Sequence, residues 1–211
     1  MKNKDYPVNL YIDYPEKSNR FLTLFRPFVA IPIFILLFLI IGVLDYDFET
    51  DTLSYSIFPS NGAGLLFLPT LLMIVIRKKY PKWWFDWNIS LTKFVIRIFT
   101  FLLLLRDEYP STDEDQAVHI VIPYPDGRGD LNRFLPLVKW FLVIPHIIVL
   151  IIFALWIIVW TITAWITILI VGKYPKAMFH LVEGILRWYV RVLTFAFLLT
   201  TDVYPPFRLS V

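Results

Sequence analysis

The feature that most constrains this chain is the run 140–171, in which no side chain is charged when His146 is neutral. A second uncharged run covers 27–44. A helix needs about 20 apolar residues to cross the hydrocarbon core of a bilayer. Helices at the surface of a soluble core instead alternate apolar and polar faces. The two runs therefore predict an integral membrane protein.

Composition supports this prediction and narrows the partners. Hydrophobic residues make up 58% of the chain, against about 45–50% in soluble domains, a figure that already includes glycine. The chain has no cysteine, which excludes disulfides and thiolate sites. Its net charge of +3 gives no support for nucleic-acid binding. We therefore expect membrane lipids as partners, together with other membrane subunits or further copies of the chain, and no nucleic acid.

Short motifs occur in the same order in both halves of the chain. The first half carries Tyr14-Pro15, Asn19-Arg20-Phe21-Leu22, Ile31-Pro32, Tyr80-Pro81-Lys82 and Asp107-Glu108-Tyr109-Pro110. The second half carries Tyr124-Pro125, Asn132-Arg133-Phe134-Leu135, Ile144-Pro145, Tyr174-Pro175-Lys176 and Asp202-Val203-Tyr204-Pro205. A shared motif order predicts an internal duplication. We interpret 1–116 as one membrane module and 117–211 as a second, parallel module.

The spacing of the motifs suggests how each module is folded. Arg20 and Arg133 are 113 residues apart, whereas Tyr80 and Tyr174 are 94 apart, so the first copy has 19 additional residues in between. The acidic stretch 45–61 accounts for most of them. Without it, the two apolar runs of the first copy would join into one run like that of the second.

This comparison predicts a transmembrane helical hairpin in each copy. Its spans lie at about 27–44 and 62–76 in the first copy, and the hairpin lies at about 137–171 in the second. One alternative is a single tilted helix, since 32 residues measure roughly 48 Å as a helix and two full spans need closer to 40 residues. A pair of helices that crosses only part of the bilayer is the other alternative.

The distribution of Lys and Arg predicts the orientation. Basic residues cluster before the first run, after the second run and after the long run; they are Lys17, Arg20, Arg26, Arg77, Lys78, Lys79, Lys82, Lys173 and Lys176. The acidic stretch 45–61 has neither Lys nor Arg. By the positive-inside rule, the N-terminus is cytoplasmic and the 45–61 loop lies outside.

A charged stripe follows each apolar region, on helix-like segments at about 83–105 and 177–199. Lys93 and Arg97 share one face of the first segment, and His180, Glu183, Arg187 and Arg191 share one face of the second. We prefer amphipathic helices in the membrane interface over further spans, because interfacial helices keep the two copies parallel. The four cations are candidates for binding lipid headgroups or anions, and the simpler interpretation is a solvated helix face.

Two polar segments, 8–13 and 118–123, are rich in β-branched residues and end near Tyr-Pro. They predict strands of a small cytoplasmic sheet, to which 207–211 could add a strand. Arg20 and Arg133 follow these segments. We interpret both as candidates for phosphate contact or, more simply, as interfacial anchors.

The sequence predicts no catalytic, metal or cofactor site. None of the three histidines has a second ligand at metal spacing. Phosphate loops, dinucleotide fingerprints and nucleophile elbows are also absent from the sequence. Glu183 could relay protons with His180, and the simpler role is an ion pair with Arg187.

The strings NRFLPLVKWFLVIPHIIVL and VGKYPKAMFHLVEGILRWYVRVLTFAFLLTTDVYPPFRL closely resemble the bacterial membrane proteins grouped as domain of unknown function family 4389. The resemblance covers the second copy and extends less closely to the first, which has the acidic loop, the Trp-rich segment 83–87, and Ser90 where the second has Gly184. It implies a tandem module in a bacterial inner membrane and supplies no activity.

The sequence thus predicts a mainly α, integral membrane protein of two parallel tandem repeats, each with a short β segment, a transmembrane hairpin and an interfacial amphipathic helix. The expected function is a non-catalytic scaffold or accessory subunit that binds lipid headgroups or a larger membrane complex. The alternative is a small oligomeric channel or transporter, with Lys93, Arg97, Arg187 and Arg191 lining a path for anions.

Overall fold

The chain is mainly helical, as the sequence predicts. The computed structural model describes residues 6–41, 44–47, 52–55, 62–112, 114–126, 129 and 131–210. Its elements are β1 (Asn9–Ile12), α1 (Arg20–Val29), α2 (Ile31–Ile41), β2 (Leu44–Asp47), β3 (Thr52–Tyr55), α3 (Gly62–Arg77), α4 (Lys82–Leu102), β4 (Val118–Val121), α5 (Leu135–Val171) and α6 (Lys176–Ala196).

The long apolar run of the second half forms one helix, which corrects the predicted hairpin. Helix α5 has 37 residues and ends at Gly172, whose φ of 80° suits glycine. A hairpin in this run would turn near residues 156–163, which contain no Gly, Pro, Asn or Asp. The hydroxyls of Thr161 and Thr163 donate to the carbonyls of Ile157 and Val159, at 2.8 and 2.9 Å. The threonines therefore satisfy their hydroxyls inside the helix and need no turn.

Within the described part of the chain, α5 is the one helix long and apolar enough to cross a membrane. At 1.5 Å per residue it is roughly 55 Å long, well beyond the hydrocarbon thickness of about 30 Å. A hairpin would place Arg133 and Lys173 on the same side of the membrane. A single helix instead separates these two residues by the whole length of α5. The predicted orientation, which relied on that return, stays a prediction.

The apolar runs of the first half form shorter helices. Residues 27–41 of the first run fall on α1 and α2, which are separated at Ala30. Pro32, the second residue of α2, has no N–H to donate to the carbonyl one turn earlier. The run 62–76 forms α3. Part of the 45–61 stretch is a β-hairpin of β2 and β3, and its other residues lie outside the described ranges.

The predicted strand segments 8–13 and 118–123 pair as β1 and β4. The pairing is antiparallel, with Leu10 opposite Ile120. Leu10 and Ile12 are buried and join a core cluster with Val118, whereas His119 faces solvent. The tail from Phe207 onward, which could have added a strand, adopts none up to residue 210 and instead runs over α6.

Helix α6 lies at the centre of the packing. One side packs on α5 through Val143, Trp188 and Phe195. The opposite side contacts β1, as Val182 and Leu10 share one cluster. The segments 83–105 and 177–199 thus fall on α4 and α6, and protein covers both sides of α6.

Candidate functional site

The charged stripe of α6 forms a buried cluster against β1. Arg187 donates from Nη2 to Oε1 of Glu183 at 2.9 Å and from Nε to the carbonyl of Leu10 at 2.7 Å. The same Glu183 oxygen accepts from the amide of Ile12 at 3.1 Å. His180 is exposed, and its Nδ1 lies 3.4 Å from the other carboxylate oxygen. The ion pair Glu183–Arg187 therefore connects α6 to β1 through hydrogen bonds.

Arg191 and Gly184 extend this cluster to the C-terminal tail. Arg191 donates to the carbonyls of Arg208 and Ser210, at 3.3 and 3.1 Å. Burial lowers the pKa of Arg191, and the charges of Arg187 and Arg208 lower it further. A Cβ at Gly184 would lie 2.9 Å from the Cβ of Leu209. The tail thus lies on α6 at a distance that only glycine permits.

Helix α4 carries a simpler version of the same stripe. Arg97 is buried and donates from Nη1 to the carbonyl of Ser111 at 2.7 Å. Lys93 is half-buried, and no hydrogen bond or ion pair involves its ammonium within the described ranges. The structure therefore does not gather Lys93, Arg97, Arg187 and Arg191 into one site. Lipid or anion binding by these residues stays a prediction.

Arg20 and Arg133 each reach a helix end in the other half of the chain. Arg20 donates from Nη2 to the carbonyl of Ile170, at the C-terminus of α5, at 3.0 Å. Arg133 donates from Nε to the carbonyl of Val75, near the C-terminus of α3, at 2.5 Å. A cation is favourable at a helix C-terminus, where carbonyls lack partners. Both residues are exposed, so their remaining N–H groups are accessible to phosphate.

Two buried ion pairs were not singled out from the sequence. Arg26 contacts Asp107, and its Nη1 donates to the carbonyl of Phe101 at 2.6 Å. Burial lowers the pKa of Arg26, and Asp107 opposes that shift. Lys139 places Nζ 2.7 Å from Oδ1 of Asp202 and donates to a neighbouring backbone carbonyl. Each cation lies six residues after an Asn-Arg-Phe arginine, and this common spacing was the signal available in the sequence.

Two tyrosines of the Tyr-Pro motifs also cross between the halves. The hydroxyl of Tyr14 donates to the carbonyl of Tyr174, and that of Tyr124 donates to the carbonyl of Tyr80, both at 2.5 Å. Tyr6 donates to the carbonyl of Val203 at 3.2 Å, and burial raises its pKa. The exchanged contacts tie the two halves together, so neither half is an independent unit of packing.

The described residues do not include a group of three or more His, Cys, Asp or Glu that could hold a metal ion. The chemistry that the described arrangement offers is instead the binding of oxygen acceptors by arginine N–H groups. Most of these acceptors are backbone carbonyls of the chain itself.

Comparison with known proteins identifies one family. Residues 136–208 match the family model described as Domain of unknown function (DUF4389). The match covers nearly all of α5, all of α6 and most of the tail that lies on α6. Neither a curated protein nor a solved structure shows a significant match to the chain.

Proposed function

We propose that this chain, whose residues 136–208 belong to the DUF4389 family, is a non-catalytic, multi-pass membrane protein that acts as a scaffold or accessory subunit. It binds lipid headgroups or a larger membrane complex. The observation that carries the proposal is the middle of α5, where large apolar side chains are exposed over nearly half of the helix circumference, on the face away from α6. They are Ile151, Ile152, Leu155, Trp156, Ile158, Val159 and Ile162. A large exposed apolar surface is typical of a contact with a membrane or another protein, and no described residue covers this face of α5.

The positions of the polar residues support an orientation in which the β1–β4 sheet faces the membrane surface. Beyond α6, on the side away from α5, the β1–β4 sheet presents His119 and Asp13, whose side chains meet at 3.2 Å and are both about half exposed. The layers follow the order α5, α6 and sheet, and the exposed side chains change from apolar at α5 to polar at the sheet. We place the sheet and the N-terminus on the cytoplasmic side of a bacterial inner membrane, with 45–61 outside.

The two halves are proposed to be copies of one module. Supporting this, the ion pair Arg26–Asp107 of the first half resembles Lys139–Asp202 of the second. Both cations also lie over an aromatic ring, at 4.5 Å for Arg26 over Phe101 and 4.8 Å for Lys139 over Phe195.

The candidate headgroup contacts are Arg20 and Arg133, which are exposed, and Lys93, which is half-buried. Arg97, Arg187 and Arg191 are buried, and each directs N–H groups at backbone carbonyls. This occupancy makes an anion path lined by these arginines the less well supported function.

The lipid part of the proposal is tested with the double variant Arg20→Gln/Arg133→Gln. The chain is extracted from membranes with a styrene–maleic acid copolymer, and co-purified anionic phospholipid is measured by mass spectrometry. It should fall about tenfold, since the two guanidinium groups lose their charge-assisted hydrogen bonds to phosphate oxygens. The matched control is Lys17→Gln/Lys79→Gln, which removes two exposed cations and should retain most of the lipid.

Two results would contradict this proposal. Unchanged anionic lipid in the arginine variant would remove headgroup binding by Arg20 and Arg133. Chloride flux in liposomes that contain the wild-type chain, lost in Arg97→Gln, would favour the channel instead.

A further inference from the structure

An open apolar cavity of about 370 Å³ lies between α1, α5 and the end of α4. Its walls include Thr23, Arg26, Pro27, Thr161, Ile162 and Trp165. The volume lies in the lower part of the range of roughly 300–1,000 Å³ that holds small-molecule ligands.

One buried cation in the wall has an unused donor. Arg26 directs Nη1 to the carbonyls of Phe101 and Arg106 and Nη2 to Asp107. Its Nε is buried and has no hydrogen-bond partner in the described part of the chain. A buried N–H without an acceptor costs about 1–3 kcal/mol. An oxygen atom bound in the cavity would remove that cost.

The other side-chain donors of the described wall already have acceptors. The Thr23 hydroxyl donates to the carbonyl of Asn19 at 2.8 Å, and Trp165 Nε1 donates to the carbonyl of Thr23 at 3.0 Å. The Thr161 hydroxyl donates along its own helix. Nε of Arg26 is therefore the unpaired donor atom of the described wall, and most of the remaining wall is apolar.

The mouth of the cavity opens onto the apolar surface. Ile162 belongs both to the wall and to the exposed middle of α5, and Pro27 of the wall is exposed as well. A ligand would therefore enter from the hydrocarbon of the bilayer. This selects a long apolar molecule with an oxygen acceptor at one end.

We infer that this cavity binds a fatty-acyl chain, with a carboxylate or ester carbonyl oxygen accepting a hydrogen bond from Nε of Arg26. A free fatty acid and an acyl chain of a phospholipid share this chemistry. The inference rests on the proposed membrane location and adds to it a specific ligand class and a specific site.

The test uses the full chain in phospholipid nanodiscs and a 16-carbon fatty acid with a diazirine at its methyl end. After photolysis, mass spectrometry of peptides should find saturable labelling on α1 and α5. Ile162→Trp fills the mouth and should lower saturable labelling about tenfold. The control Ile148→Trp has the same exposure, 56%, on the same helix, does not line the cavity, and should label like the wild type.

Arg26→Lys tests the donor itself. A lysine in a comparable pair is accommodated at Lys139, so the variant should keep the thermal stability of the chain while losing the Nε donor. Saturable labelling should then fall about tenfold. Labelling by this folded variant equal to that of the wild type would overturn the assignment of Arg26.

Competition with unlabelled lipids identifies the source of the bound fatty-acyl chain. Displacement by unlabelled palmitic acid alone indicates a free fatty acid, and displacement by unlabelled phosphatidylglycerol alone indicates a phospholipid. Displacement by neither, or equal labelling of Ile162→Trp and the wild type, overturns the site. If the chain meanwhile stays in the membrane fraction, the proposed membrane location survives that result.

Discussion

Replacing Arg187 with Met should lower the free energy of unfolding by about 3–5 kcal/mol, because it leaves Glu183 buried without its cation. The carbonyls of Leu10 and Leu209 lose their donor in the same variant. The measurement is equilibrium unfolding by denaturant in mixed micelles. The double variant Glu183→Gln/Arg187→Met should lose less than the sum of the two single variants, since it removes the unpaired charge.

Lys93→Met is the matched control, because Lys93 lies 94 residues before Arg187, the same offset as between Tyr80 and Tyr174. Its ammonium makes no ion pair or hydrogen bond to any described residue, so the loss should stay below about 1 kcal/mol. Equal losses in Lys93→Met and Arg187→Met would show that the α6 cluster does not fasten the strand and the tail.

Replacing Lys139 with Met should also be severe, at about 3 kcal/mol. The Lys139 side chain is fully buried, and that of its partner Asp202 is 19% exposed. The variant leaves this carboxylate without its cation and a backbone carbonyl without its donor. The same unfolding measurement detects the loss.

The exposed pair Lys82–Asp86 provides the comparison for this prediction. Its atoms are 3.0 Å apart, but its side chains are 70% and 53% exposed. Lys82→Met should therefore cost only about 0.3–0.5 kcal/mol, as is usual for an exposed pair one helical turn apart. Comparable losses in Lys139→Met and Lys82→Met would show that burial does not set the strength of these pairs.

Elements with a clear periodicity were predictable from the sequence. The β-branched alternation at Val118–Val121 and the apolar faces around Arg97 and Arg191 mark a strand and two helices that the structure contains. Such periods follow from backbone geometry, which acts locally. The mainly α class followed from these two helices and from the lengths of the apolar runs.

The path of the long apolar run was not predictable in the same way. An uncharged run gives no period from which to distinguish one helix from two, and the hairpin was inferred from the acidic insertion at 45–61. The absence of a turn residue between Trp156 and Thr163 was the local signal for the single helix.

The sequence allowed several residues of the site to be predicted, but not the long-range contacts that they make. The Glu183–Arg187 pair follows from its spacing of four along a helix. The other acceptors of Arg187 and Arg191 lie on β1 and on the tail, far away in the sequence. Arg26 was noticed only as a basic residue and Lys139 was not singled out, since their partners Asp107 and Asp202 are 81 and 63 positions away. Long-range pairs of this kind require the tertiary structure.

The central claim is that the middle of α5 lies in the hydrocarbon of a bilayer. The chain has no cysteine, so a single one can be introduced at Ile158 or, on the polar side, at His119, both of which are exposed. Labelling by a membrane-impermeant maleimide is measured in opened membrane fragments, where both surfaces are accessible. We predict that His119→Cys reacts, whereas Ile158→Cys reacts only after denaturation in dodecyl sulfate. Equal rates at the two positions before denaturation would contradict the membrane location.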